Sequence, residues 1–185
     1  MKLFFRILFL CISFNITYSQ STTCATASAM CSGQGGPYNN TNTGTAGGNQ
    51  TGYGPITGCG GSGSLGNNGS LGSTPRPAWF YYTIGRTGPI NLNLQQFNAS
   101  NTGIDVDFAL WGPFPNNNLG NICNSLSGFP GSTYTGPCNL VDASYSGTFN
   151  ETIHIPNAQV GQVYLLLVTN FSGQAGTYTI NQSNA

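Results

Sequence analysis

Gly103-Ile104-Asp105-Val106-Asp107-Phe108-Ala109-Leu110-Trp111-Gly112-Pro113-Phe114 is the stretch on which the fold turns, because it reads as a β-strand and also carries two acidic residues two positions apart. Side chains on a strand alternate with a period of two. Ile104, Val106, Phe108 and Leu110 therefore line one surface, Asp105, Asp107, Ala109 and Trp111 line the other, and Gly112-Pro113 ends the run. The expectation is a strand with one face in the core and the other a candidate site.

Working outward, residues 78–84 (Ala-Trp-Phe-Tyr-Tyr-Thr-Ile) and 163–169 (Val-Tyr-Leu-Leu-Leu-Val-Thr) are continuous apolar runs, as in strands covered on both faces. Ile90, Leu92 and Leu94 alternate with Asn91, Asn93 and Gln95, giving one buried and one wet face. Gly85-Arg86-Thr87-Gly88 between these runs has turn chemistry and predicts a hairpin. Residues 152–155 and 177–180 complete six strands, and a Pro-, Asn- and Gly-rich loop is expected over residues 112–147. Short strands at these spacings make an all-β antiparallel sandwich of jelly-roll or Greek-key type.

Lys2 and Arg6 precede an apolar run, residues 7–12 continued by Phe14 and Ile16, that is too short to span a bilayer. Residues 1–19 are expected to be a signal peptide, with the mature chain starting near Gln20. Cys11 lies inside the apolar run, and Cys24 follows Ser21-Thr22-Thr23, which lacks the residues expected before a lipidated cysteine. Removing 19 of the 185 residues leaves 166, enough for one domain.

The remaining charges are Arg76, Arg86, Asp105, Asp107, Asp142 and Glu151. Without clustered Lys and Arg, no nucleic-acid partner is expected. Residues 20–75 hold no charged residue and are rich in Gly, Ser, Thr and Asn, so they read as an uncharged arm tethered by disulfide to a sandwich over residues 76–185. A chain starting near Ser73 is then expected to fold without the arm. The arm could add as a strand to a neighbour's sheet edge and so build fibres.

Five cysteines follow the leader, Cys24, Cys31, Cys59, Cys123 and Cys138, with no Cys-x-x-Cys spacing. Such usage suits an oxidising compartment. Cys123 and Cys138 bracket the long loop and are expected to pair, leaving Cys24, Cys31 and Cys59 to share one further bridge.

The order Pro-Ala-Trp-Phe-Tyr-Tyr (77–82), Asp-x-Asp-Phe-Ala-Leu-Trp-Gly-Pro-Phe (105–114), Gly-x-Val-Tyr-Leu-Leu-Leu-Val-Thr-Asn (161–170) and a final Gly-x-Tyr strand resembles the bacterial pre-peptidase C-terminal type of β-sandwich. The resemblance covers residues 75–182. It implies a noncatalytic accessory of secreted and cell-surface proteins, often appended to proteases or adhesins. Within these 185 residues neither an enzyme nor a C-terminal sorting domain is expected beside the sandwich, which departs from that setting. Ala143 and the following Ser144-Tyr145-Ser146 also stand where related sequences often carry a cysteine, which displaces the pairing to Cys138.

Enzymatic chemistry is not expected. Asp105 and Asp107 would hold carboxylates about 6–7 Å apart, but glycosidases place their pair on opposite sides of the sugar, usually from different elements. His154, the single histidine, has no Gly-x-Ser-x-Gly elbow near it. Calcium suits the carboxylates better, with Asp105, Asp107 and Asp142 as ligands and oxygens of Asn116-Asn117-Asn118 completing the shell. Trp111 on the same face is the candidate ligand contact, the alternative being packing under the long loop; Trp79 and Tyr81 could also offer flat faces to sugars, with core packing the better reading of Trp79. Seven Asn-x-Ser/Thr sequons, among them Asn68-Gly69-Ser70 and Asn170-Phe171-Ser172, would be surface glycosylation sites in a host that uses them.

The sequence thus reads as a secreted, noncatalytic β-sandwich protein acting in cell-surface adhesion or as a self-associating structural subunit of a fibre or matrix, with no membrane span. The alternative is a calcium-dependent carbohydrate-binding or protease-accessory module.

Overall fold

The computed structural model describes residues 21–30, 36–40, 55–58 and 71–184. The expected leader, Cys31, Cys59 and the sequon at Asn68 lie outside the described residues. Among the described residues, nine strands form two sheets. These are β1 (Ser28–Met30), β2 (Tyr38–Asn40), β3 (Ala78–Thr83), β4 (Gly88–Asn98), β5 (Val106–Phe114), β6 (Leu140–Ser144), β7 (Asn150–Ala158), β8 (Val163–Asn170) and β9 (Gly176–Gln182). One sheet has the order β1-β3-β8-β5-β6 and the other β2-β9-β4-β7. Every pairing is antiparallel except β1 with β3. The result is the all-β, antiparallel-rich sandwich that the strand signals predict.

The two sheets face each other across a core of Phe80, Leu94, Val106, Phe108, Leu110, Ile153, Ile155, Leu166 and Val168. The larger sheet has a second apolar layer on its outer face, where Ile56, Leu71, Ile122, Leu126 and Phe129 cover Trp79, Ala109, Trp111, Leu165 and Leu167. This second layer is why β3 and β8 tolerate continuous apolar runs. It also overturns the expectation for β5, a central strand buried on both faces rather than half wet. β5 runs past Gly112-Pro113 to Phe114, with a register shift on the β8 side.

Two connections differ from expectation. Residues 84–87 carry the chain from the first sheet to the second, so β3 and β4 form no hairpin: β3 pairs with β1 and β8, and β4 with β7 and β9. The turn is held by Ile84 instead, whose N–H donates to Gln162 O and whose O accepts from Gly161 N–H. The expected loop 112–147 contains α1 (Leu119–Cys123) and β6.

Segments of the expected arm are part of the sandwich. β1 extends the first sheet beside β3, β2 extends the second beside β9, and Tyr38, Ile56 and Leu71 are buried. Cys24, in the 3₁₀ turn Cys24–Thr26, is bonded to Cys123 with a Cα–Cα distance of 5.9 Å. The Cys123–Cys138 pairing is therefore corrected. Cys123 ends α1, α1 packs against the Cys24 turn, and proximity selects that partner. Cys138 is itself disulfide-bonded.

Candidate functional site

The chain's four carboxylates, Asp105, Asp107, Asp142 and Glu151, gather where β5, β6 and β7 meet. Each aspartate feels the charge of Glu151. Asp105 lies just before β5 and Asp107 one residue inside it, Glu151 opens β7, and residues 145–149 join β6 to β7 over them. The 145–149 segment is pinned to this corner. Val106 N–H donates to Thr148 O at 3.0 Å, Ser146 Oγ bonds Glu151 Oε1 at 2.5 Å, and the backbone N–H groups of Ser146 and Thr148 favour the ionised forms of Asp107 and Asp105 respectively.

Burial dominates the electrostatics. Asp107 is 2 % exposed, and desolvation, then the charges of Asp105 and Glu151, push its pKa up to about 8. Desolvation also raises Asp105, helped by Glu151. A raised carboxylate binds more protons folded than unfolded across the interval between its two pKa values, so stability falls as pH rises through that interval. For Asp107 the interval runs from about 4, its unfolded value, to about 8. The melting temperature is therefore expected to be higher near pH 5 than near pH 8.5. Asp107→Asn should flatten most of that slope, and a variant keeping the wild-type slope would show that the titration lies elsewhere.

Asp142 is not part of a metal triad. Its Oδ1 accepts from Ala143 N–H at 2.9 Å and its Oδ2 from His154 N–H at 2.7 Å. Opposite Leu110 on β6, it reaches across to β7 and satisfies a backbone donor on the free edge of the second sheet. Two further devices blunt that edge: Asn150 N–H donates to Thr148 Oγ1, and Pro156 has no N–H to offer. Among the described residues no three His, Cys, Asp or Glu side chains converge as a group able to hold a metal.

The asparagine loop is equally displaced. Asn116–Asn118 follow the far end of β5, whose nine residues from Val106 to Phe114 span roughly 30 Å at ~3.3 Å per residue. Asn116 Oδ1 accepts from Asn118 N–H, and Asn118 Oδ1 caps α1 by accepting from Asn121 N–H. Their oxygens build a turn.

Trp111 is a core residue, fully buried, stacked on Trp79 with ring centroids 5.9 Å apart and met edge-on by Phe129. Its Nε1–H donates to Ser127 O at 2.9 Å. Covered by the second layer, it presents no face to a ligand. Trp79 is buried in the same stack and Tyr81 is half-buried against it. Of the sequons, Asn170 is 1 % exposed with its amide bonded to Gln174 O, which leaves no room for a glycan there.

The exposed aromatics are others. Tyr145 is 39 % and Phe149 41 % exposed, one at each end of the segment pinned to the carboxylates. Each leans on a second ring, Tyr145 on Phe171 at 5.7 Å and Phe149 on Phe97 at 5.5 Å. Gly103 is what lets Phe149 lie down, since a Cβ there would stand 2.5 Å from its ring. These residues escape sequence reading because a Tyr and a Phe within a Ser- and Gly-rich stretch carry no period.

The chain is thus a two-sheet sandwich with a buried carboxylate corner under a strap bearing two exposed rings. No family model matches the chain, and no curated protein matches it. Among solved structures, the crystal structure of the Podospora anserina GH26-CBM35 β-(1,4)-mannanase aligns over 82 % of this chain and 28 % of its own length, at 12 % identity and a TM-score of 0.28.

Proposed function

We propose that this is a noncatalytic extracellular protein of the cell surface that holds a glycan on the strap 145–149. The observation that carries the reading is the pair of exposed rings, Tyr145 and Phe149, each rigidified by a second ring and flanking ionisable carboxylates. Flat aromatic faces pack against the apolar side of a sugar. The Cys24–Cys123 disulfide suits an oxidising compartment. Among the described residues no helix is long and apolar enough to cross a membrane. The resemblance of residues 75–182 to noncatalytic pre-peptidase C-terminal type modules belongs to the same reading.

Self-assembly by strand exchange has less support. The described arm strands already pair within their own chain, and the β7 edge is capped by Asp142 and Pro156. The test is a glycan array probed with the purified mature chain beside Tyr145→Ala/Phe149→Ala, with size measured by light scattering. Binding that the double variant loses at least tenfold supports the reading. Equal binding by both, binding by neither, or polymers from the wild type would overturn it.

A further inference from the structure

We propose that the corner beneath the strap is a binding site for a hard divalent cation of calcium size, held by Asp105, Asp107 and Thr169 and favoured by the charge of Glu151. Asp107 and Thr169 are directly opposed in the β5–β8 ladder, so their side chains share one face. Asp105 lies two residues earlier, just before β5, where its charge acts on Asp107.

The second, independent observation is a set of unpartnered oxygens. Asp107 is 2 % and Thr169 0 % exposed, yet Asp107 Oδ2, Thr169 Oγ1 and Asp105 Oδ1 are buried with no hydrogen-bond partner. Buried polar atoms are nearly always satisfied, and leaving one unpaired costs on the order of 1–3 kcal/mol. Asp107 Oδ2 and Thr169 Oγ1 are thus orphaned on the same face of the first sheet, beside the charge of Asp105.

Three unpartnered oxygens, two from carboxylates, are acceptor-rich and donor-poor when ionised, the chemistry of a hard cation rather than an anion. Calcium accepts irregular shells completed by carbonyls and waters, whereas magnesium demands near-octahedral geometry. The set departs from the one expected from sequence in replacing Asp142, which is spent on backbone donors, by Thr169. Because the same carboxylates anchor the strap through Ser146 and Thr148, an ion here would fix the spacing of Tyr145 and Phe149. That last step alone rests on the glycan-binding reading.

The test is titration calorimetry of the EDTA-treated, desalted mature protein with calcium at pH 8.5, with magnesium as comparison and thermal melts in parallel. One calcium per chain is expected, with a melting temperature raised by roughly 5–10 °C at a hundredfold excess over Kd. Asp107→Asn should abolish binding while melting no lower than the wild type without calcium. Thr169→Val should keep the fold and weaken calcium at least fivefold. No heat and no melting shift in the wild type at millimolar calcium would overturn the site, as would full calcium affinity in Asp107→Asn. Calcium binding without glycan binding would sink the glycan reading and leave the cation site standing.

Discussion

A chain beginning at Ser73 is expected not to fold to a native state at 25 °C, and to show this as lost near-UV circular dichroism and aggregation rather than as a folded monomer. The deletion removes β1 and β2, the outer strands of the two sheets. It also removes Tyr38, which packs on Phe80 at 5.1 Å inside the main core, and Ile56 and Leu71, which help cover the outer face over Trp79 and Trp111. Burying one large apolar side chain contributes roughly 1.5–3 kcal/mol. The three lost here, with the bared faces of Phe80, Tyr178 and Trp79, approach the ~5–15 kcal/mol that keeps a domain folded. The entropy saved by not ordering a Gly-rich segment offsets part of this, but the remainder of the chain would expose sheet edges and indoles together. A truncated protein that stays monomeric, with wild-type near-UV dichroism, would mean that the arm strands are dispensable.

That expectation reverses the one drawn from sequence, and the reason is physical. An uncharged Gly-, Ser- and Asn-rich segment has little core of its own, which is true of residues 20–75. Its few apolar residues are nonetheless enough to complete someone else's core, and here the recipient is the same chain. β3, β4 and β8 were legible because their patterns are dense, either continuous or strictly alternating. β5 was legible as a strand but not in its burial, because the residues that cover Ala109 and Trp111 come from Ile56, Leu71, Ile122, Leu126 and Phe129, all distant in sequence. β6 was hidden because five residues centred on an aspartate offer no period, and because the aspartate's partners are backbone N–H groups, which have no sequence signature.

The site was half legible. Asp105 and Asp107 were visible through their spacing, while Glu151 and Thr169 are brought to them only by the pairing of β5 with β8 and the return of β7. Asp142 looked equivalent to the others by residue type, and only its two backbone bonds separate an edge cap from a candidate ligand. The exposed rings were missed for the converse reason. Of the two tryptophans, Trp79 fills the core as its sequence reading has it, and Trp111, the candidate ligand contact, takes the packing alternative, since large aromatics in a small sandwich fill the core first.

Removing the covalent tie between the arm and α1 is the other change with a large expected effect. Cys24 and Cys123 are separated by 99 positions, and a loop of that length closed by a disulfide is worth about 4.7 kcal/mol in the chain-entropy model, against about 3 for the 15-residue loop that a Cys123–Cys138 bridge would close. Cys24→Ala/Cys123→Ala, which keeps small apolar side chains where both sulfurs meet the outer layer, should therefore lower the melting temperature by roughly 10–20 °C for a chain of this size. Because the tie holds the cover over the stacked Trp79 and Trp111, fluorescence should redden in the variant before the far-UV signal is lost, as the outer layer opens first. Nonreducing peptide mapping of the wild type should recover Cys24 linked to Cys123. A loss below about 3 °C, or a recovered Cys123–Cys138 peptide, would show that the outer layer closes without this bridge, and the entropic argument would then apply to the shorter loop.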